Sequence, residues 1–343
     1  MQDVIDKFLK QKKVSNNSIT NNTFNSYKKD LSLFHSFLIS NNIKNPKDVN
    51  KETIKSFYSS ELFNSYTRVW KKRNGETKSI VGSRSETSKN RLVATLSSFF
   101  KYMVHKKLIK TSPLIKRSVK ANVVHQTLTV EEIKIIFKYI NSQDFYTNGS
   151  KTPIRDKVII ELLYYCGLRV SELINIKLVD LKFNNANPHI IIMGKGAKYR
   201  EQPVPSYKNV LKYIETDRTS ILKGEKSDYL FVKFYKNKGE DDISYISRHS
   251  VIKIVKKICS QAFKNTKFTI NRNGKVKYKS ISPHMFRHSI GTHLHHDGND
   301  IIEIRDFLGH SSISTTDRYL DKVLEKKDIL NRYGPFTGGE TGW

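Results

Sequence analysis

Between residues 23 and 43 the apolar side chains Phe24, Tyr27, Leu31, Phe34, Phe37 and Leu38 recur at three- and four-residue intervals. That spacing lines them along one stripe of an α-helix and excludes a strand, whose side chains change face at every residue. A stripe this wide needs other helices to cover it. Three segments qualify. Val4, Ile5, Phe8 and Leu9 make a shorter stripe, Asn50 is placed to cap a helix carrying Ile54, Phe57 and Tyr58, and residues 87–105 carry Leu92, Leu96, Phe99, Phe100 and Met103. Residues 1–115 therefore read as a small helical bundle. One piece breaks the pattern. Residues 67–72 and 76–81 flank Asn74-Gly75 and hold the strand formers Val69, Ile80 and Val81, which predicts a basic hairpin over 67–81. A plain surface loop is the competing reading.

Residues 111–128 lack helical periodicity and carry Lys116, Arg117 and Lys120 with no acid, so 116–128 reads as a basic linker. A second domain is expected over 129–335. Thr129 and Glu132 have capping-box spacing ahead of Ile133, Ile135, Ile136 and Tyr139. An apolar helix over 153–166 ends at Gly167. Strands are expected at 189–193, 199–204 and 228–234, the first two joined across Gly194-Lys195-Gly196. A helix over 250–263 follows, then a second hairpin, 267–270 with 275–278, around Asn273-Gly274, and short helices from 282 onward. Residues 336–343 read as a flexible tail. The fold class is mainly α, with an α+β second domain built on a small sheet.

Charge identifies the partner class. The chain of 343 residues carries 61 Lys and Arg against 32 Asp and Glu, a net of +29. Residues 1–125 hold 25 against 8, so that third is the more basic per residue. A surplus this large favours a polyanion, nucleic acid before an anionic membrane. No apolar run has the length of a membrane span, and Asp3 and Asp6 with no apolar core exclude a signal peptide from the opening residues. Cys166 and Cys259 are the only cysteines, too few for a disulfide framework, which fits a reducing cytoplasm.

Several residues carry phosphoryl chemistry. Arg169 lies in Gly-Leu-Arg-Val-Ser-Glu-Leu, after a helix end and before a new helix. His284 and Arg287, in Pro-His-Met-Phe-Arg-His, are three apart and share a helix face. Leu308-Gly309-His310 precedes Tyr319 by nine residues, and Lys195 occupies a hairpin tip. Guanidinium forks neutralise non-bridging oxygens, a phenol attacks phosphorus, and a lysine of lowered pKa protonates a leaving alkoxide. That chemistry calls for neither metal nor cofactor. His293, His295, His296 and Asp297 fan around a helix rather than converging on an ion, and Met193–Lys195 lacks the P-loop pattern.

From Arg169 to Tyr319 these ordered motifs resemble the tyrosine recombinase (phage integrase) family, in the style of its Xer-type and Cre members. The resemblance implies an N-terminal core-binding domain and a C-terminal catalytic domain closing as a C-shaped clamp on double-stranded DNA. It implies that Arg169 and Arg287 clamp the scissile phosphate, that Lys195 protonates the 5′-hydroxyl, that His284 handles a proton near the nucleophile, and that His310 hydrogen-bonds a phosphate oxygen. Tyr319 would form the 3′-phosphotyrosyl link, with Glu172 orienting its neighbours. A homotetramer on two sites is expected, working through a Holliday junction in the nucleoid. The helix near 323–332 would dock on a neighbour, and a DNA-bending or directionality factor is a further expected partner. The two basic hairpins depart from compact members and are expected to contact flanking DNA or a neighbouring subunit, which favours a mobile element. Xer-type dimer resolution, a type IB topoisomerase-like or telomere-resolving enzyme, and a DNA-binding regulator without activity remain open.

Overall fold

The computed structural model describes residues 1–14, 21–71, 74–115, 117, 127–184, 187–194, 199–235, 240, 243–264, 266, 269–272, 275–278 and 280–309. The chain divides into two compact units after Val123.

The first unit holds helices α1 (Gln2–Val14), α2 (Asn21–Ser40), α3 (Lys51–Ser59), α4 (Glu61–Asn64) and α5 (Glu86–His105), with strands β1 (Ser65–Lys71) and β2 (Thr77–Ser83) between α4 and α5. Its core is largely phenylalanine: Phe8, Phe34, Phe57, Phe63, Phe99 and Phe100 are all fully buried. They meet edge to face, Phe34 against Phe57 at 5.0 Å and Phe8 against Phe99 at 5.4 Å between ring centres. Such pairs contribute about 0.5–1.5 kcal/mol each beyond area burial. Asp30 is buried between α2 and α5, accepting from Arg91 Nη1 at 2.8 Å and Thr95 Oγ1 at 2.9 Å. Asn50 caps α3 as its sequence predicts, its Oδ1 accepting from the Thr53 N–H.

Helix α2 stops at Ser40, three residues short of the periodic stretch. Asn42 adopts φ +57°, and the Ile43 N–H donates back to the Leu38 carbonyl while Ile43 packs on the core. That left-handed cap satisfies carbonyls the helix end leaves open. The hairpin reading at 67–81 holds. β1 and β2 are antiparallel, with Val69 opposite Ser79, and extend beyond the predicted strands at their root.

The second unit is built on α6 (Val130–Ile140), α7 (Pro153–Tyr165), α8 (Val170–Ile174), β3 (Leu181–Lys182), β4 (His189–Met193), β5 (Tyr199–Pro203), α9 (Tyr207–Tyr213), α10 (Thr219–Leu222), α11 (Arg248–Ala262), β6 (Thr269–Arg272), β7 (Lys275–Tyr278), α12 (Pro283–His296) and α13 (Ile301–Leu308). Thr129 and Glu132 form the expected reciprocal cap on α6. Helix α7 lies in the core, covered by α8, α9, α11 and α12, and buries Arg155, Asp156 and Glu161 along with its apolar residues. The three-stranded antiparallel sheet has the order β3-β4-β5, and among the described residues β6 pairs only with β7. Leu128, at the end of the predicted linker, is buried in this core and donates its N–H to Ser289 Oγ.

Residues 228–234 do not form the expected strand. They make two isolated bridges, Lys177 with Tyr229 and Val232 with Tyr245. Leu230, Phe231 and Val232 are all buried, so this apolar run threads the core instead of pairing along a ladder. Among the described residues no helix is long and apolar enough to cross a membrane.

Candidate active site

The site begins where α7 ends. Cys166 closes the helix and Gly167 takes φ +55°, a left-handed conformation that suits glycine. A Cβ at Gly167 would stand 2.7 Å from Leu308 Cδ2, so α13 packs directly on this turn. The turn buries Leu168 and leaves Arg169 extended, at φ −71° and ψ 149°, as the residue entering α8. Three positions on, Glu172 reaches back. Its Oε2 accepts the Arg169 N–H at 2.9 Å and its Oε1 accepts Arg169 Nη1 at 2.7 Å. One short helix thus sets the geometry of both residues.

Two more guanidinium groups close on the same carboxylate. Arg200, on β5, donates Nη2 to Glu172 Oε2 at 3.0 Å and Nη1 to Oε1 at 3.2 Å. Arg287, on α12, brings Nη1 to 3.6 Å from Oε2. Arg287 is almost wholly buried, and its guanidinium also donates to the main-chain carbonyls of Gly167 and Leu308. It therefore ties α12 to the α7–α8 turn and to the end of α13. Burial of Glu172 opposes its ionisation, but Arg200, then the Arg169 N–H and the Arg287 charge, outweigh it and hold the carboxyl at about 2. One carboxylate among three guanidiniums leaves two positive charges in excess. That is a field for a phosphate, and Arg169, with a third of its side chain exposed, is the most open of the three.

His284 lies one turn before Arg287 on α12 and is exposed between the buried Pro283 and Met285. The protein around it, then the charges of Arg248, Arg287 and Arg169, lower its imidazole below the ordinary histidine value. That shift favours the neutral ring, which can accept a proton. Gly309 ends α13 at φ +62°, and a Cβ there would stand 2.9 Å from Arg200 Nη1. The Arg200 guanidinium thus lies on the backbone next to position 310.

Of the sequence-predicted residues, Arg169, Glu172 and Arg287 meet in one cluster, and His284 borders it. Lys195, His310 and Tyr319 lie outside the described residues, as does the segment 323–332. The β4–β5 hairpin expected to carry Lys195 is present. Sequence reasoning missed Arg200 and Arg248. Arg200 had a signal: in the β4–β5 register it stands opposite the buried Ile192, two residues from the buried Gln202. A cation on the inner face of a strand needs an internal acid. Arg248, on the first turn of α11, had none.

His293 has a different task. Its Nδ1 lies 2.9 Å from the Tyr164 hydroxyl and its Nε2 3.0 Å from the Leu128 carbonyl oxygen, so both ring nitrogens are used inside the core. Cys166 and Cys259 are buried free thiols.

Residues 126–325 match the model of the phage integrase family. Curated relatives include the tyrosine recombinase XerD of Listeria monocytogenes serotype 4b (strain F2365), 27% identical over 344 residues, covering 98% of this chain and 99% of the relative. Tyrosine recombinase XerC of Myxococcus xanthus is 33% identical over 246 residues, 70% of this chain and 73% of the relative. Among solved structures, the XerH site-specific recombinase bound to palindromic difH substrate matches with TM-score 0.64 at 21% identity, over 87% of this chain and 76% of that one. The Tn1549 transposon integrase with circular intermediate DNA matches with TM-score 0.63 at 19% identity, over 92% and 94%.

Proposed function

This chain belongs to the phage integrase family, the tyrosine recombinases that break and rejoin DNA, and we propose that it exchanges strands between two specific duplex sites through Tyr319. The observation that carries the reading is the cluster of Arg169, Arg200 and Arg287 around the single buried carboxylate of Glu172. Arg169 and Arg287 bind the non-bridging oxygens of the scissile phosphate and stabilise the charge that gathers there during transfer. His310 donates to one of the same oxygens.

The Tyr319 phenolic oxygen attacks phosphorus and its proton passes to the neutral His284. The bond from phosphorus to the 5′-oxygen breaks, and Lys195 protonates that oxygen. The product is a 3′-phosphotyrosyl ester and a free 5′-hydroxyl. A 5′-hydroxyl from the partner duplex then attacks the ester, displaces Tyr319 and reseals the strand. The ester conserves the bond, so the return step draws on no nucleotide. Two rounds on paired sites pass through a Holliday junction, and four copies supply four tyrosines, with the segment near 323–332 docking on a neighbour.

The end-to-end likeness to XerD favours an Xer-type resolution of joined DNA circles. Integration and excision of a mobile element is the second reading, favoured by the two inserted basic hairpins. The enzyme would act in the cytoplasm, on the nucleoid.

The test is a library of nicked duplexes with randomised cores, in which cleavage frees a short fragment and strands the covalent adduct. The wild-type chain should yield adducts on one recurring core sequence, attached at Tyr319, and Tyr319→Phe should yield none. Adducts without sequence preference would mark a topoisomerase, and a hairpin-ended product a telomere-resolving enzyme. Sequence-specific binding with no adduct would mark a regulator. A plasmid carrying the selected core twice in direct repeat then reads resolution, and two plasmids carrying it once each read integration.

A further inference from the structure

The β1–β2 hairpin plays no part in the site described above, yet it is built as a fixed arm. Its root is anchored by Arg84, whose side chain donates to the main-chain carbonyls of Phe63 and Ser65 and whose N–H donates to Asn64. The Tyr66 ring lies on Gly82 so closely that a Cβ there would meet it at 2.9 Å. Beyond the root almost every residue of both strands is exposed. An isolated two-stranded ribbon has no buried face of its own, so exposed Val69, Trp70, Ile80 and Val81 point to an occupant.

Charge selects that occupant. Residues 65–83 contain five Lys and Arg and one acid, Glu76. From the register, Arg68 lies opposite Ile80 and Trp70 opposite Lys78, so cations, an aromatic ring and an aliphatic chain share one face. The other face pairs Thr67 with Val81 and Val69 with Ser79. Hydroxyls accept from or donate to base edges, aliphatic groups meet thymine methyls, and Lys and Arg meet phosphates. A two-stranded ribbon also fits the major groove of B-form DNA, about 12 Å wide. A second copy of the same arm carries the same surplus charge and would be repelled.

We propose that the β1–β2 hairpin is a DNA-reading arm that enters the major groove of the duplex bound by this recombinase. The proposal rests on the recombinase reading and adds a second source of sequence preference, outside the residues that perform the chemistry.

Trp70 makes it testable, because the only other tryptophan is Trp343. In the Trp343→Phe chain, with an intact Tyr319, Trp70 alone reports. The probe is a 40-base-pair duplex carrying the core selected above or, without one, a mixed sequence at low salt. Binding is followed by anisotropy and Trp70 accessibility by acrylamide quenching. Saturating duplex should cut quenching of Trp70 at least twofold. The Arg68→Ala/Lys78→Ala chain should bind more weakly, with a salt slope smaller by about 2, at roughly 0.9 for each phosphate no longer neutralised. Full duplex binding with Trp70 still open to acrylamide would overturn the arm and leave the recombinase standing. Trp70 shielded by raising protein concentration without DNA would overturn it in favour of a second copy. A chain that binds no duplex at all would overturn both.

Discussion

Arg200 grips Glu172 with both ends of its guanidinium, at 3.0 and 3.2 Å, while Glu172 holds Arg169 through its main chain and its side chain together. Arg200 thus acts on Arg169 and Arg287, the arginines proposed to bind the phosphate, through the carboxylate between them. It is a positioning residue. Loss of Arg200 leaves a buried carboxylate with one fewer partner, and a misplacement of 1 Å at a reacting centre can lower a rate ~100-fold. Arg200→Gln should slow single-turnover cleavage by ~10–100-fold while duplex affinity changes by less than about threefold. Arg200→Lys should recover part of the rate. Combining Arg200→Gln with Glu172→Gln should cost less than the sum of the single changes, because both act on one network. Single-turnover trapping on the nicked substrate reads all three.

The same network contributes to the stability of the fold in acid. Glu172 is held at about 2 in the folded chain against an ordinary 4.5. A lowered carboxyl contributes stability that is present above pH 4.5 and lost as pH falls toward 2. The full contribution is on the order of 3 kcal/mol, at 1.36 kcal/mol per unit. Urea unfolding between pH 7 and 3 should show wild-type stability falling below pH 4.5. Glu172→Gln should start lower at neutral pH and fall less steeply over that window.

Glu161 works in the opposite sense. It is buried on α7, its oxygens accept from Asn209 Nδ2 at 2.9 and 3.1 Å, and burial, opposed by Lys157 at 3.9 Å, raises it to about 7. A raised carboxyl contributes stability that is complete below pH 4.5 and lost as pH rises through 7. Glu161→Gln keeps an acceptor for Asn209 and removes the ionisation. Its melting temperature should gain on the wild type as pH goes from 5 to 8.5, and the difference should be smallest below 4.5.

The sequence made local geometry readable and left convergence hidden. The helices of the first unit were legible because Phe34, Phe37, Leu92 and Phe99 obey one spacing, and the β1–β2 arm because Asn74-Gly75 separates strand formers. The pairing of Arg169 with Glu172 is local, across the three residues that open α8. The contact of Arg200 with Glu172 spans 28 residues and depends on how β5 packs, which no local pattern encodes. Residues 228–234 misled because an apolar run in a core has the same composition as a buried strand. The roles of Lys195, His310 and Tyr319 rest on motif order, which is why the adduct experiment is aimed at Tyr319.

Gly167 offers a test of how tightly the turn controls the site. Alanine there meets two penalties. The left-handed φ of +55° costs a side-chain-bearing residue roughly 1–2 kcal/mol. The new Cβ would also press on Leu308 at 2.7 Å and Ile290 at 3.3 Å. Either Leu308 or the turn must move, and Arg287 donates to the carbonyls of both Gly167 and Leu308. Gly224 is the control. Its φ is +90°, and a Cβ there meets nothing within 4 Å. Gly224→Ala should show only backbone strain, with cleavage close to wild type. Gly167→Ala should lose about 1–3 kcal/mol more stability, the range typical of overpacking, and cleavage at 20 °C should fall well below its duplex binding. Equal effects of the two substitutions, by thermal melts and single-turnover trapping, would mean that the contact between the turn and α13 does not set the position of Arg287.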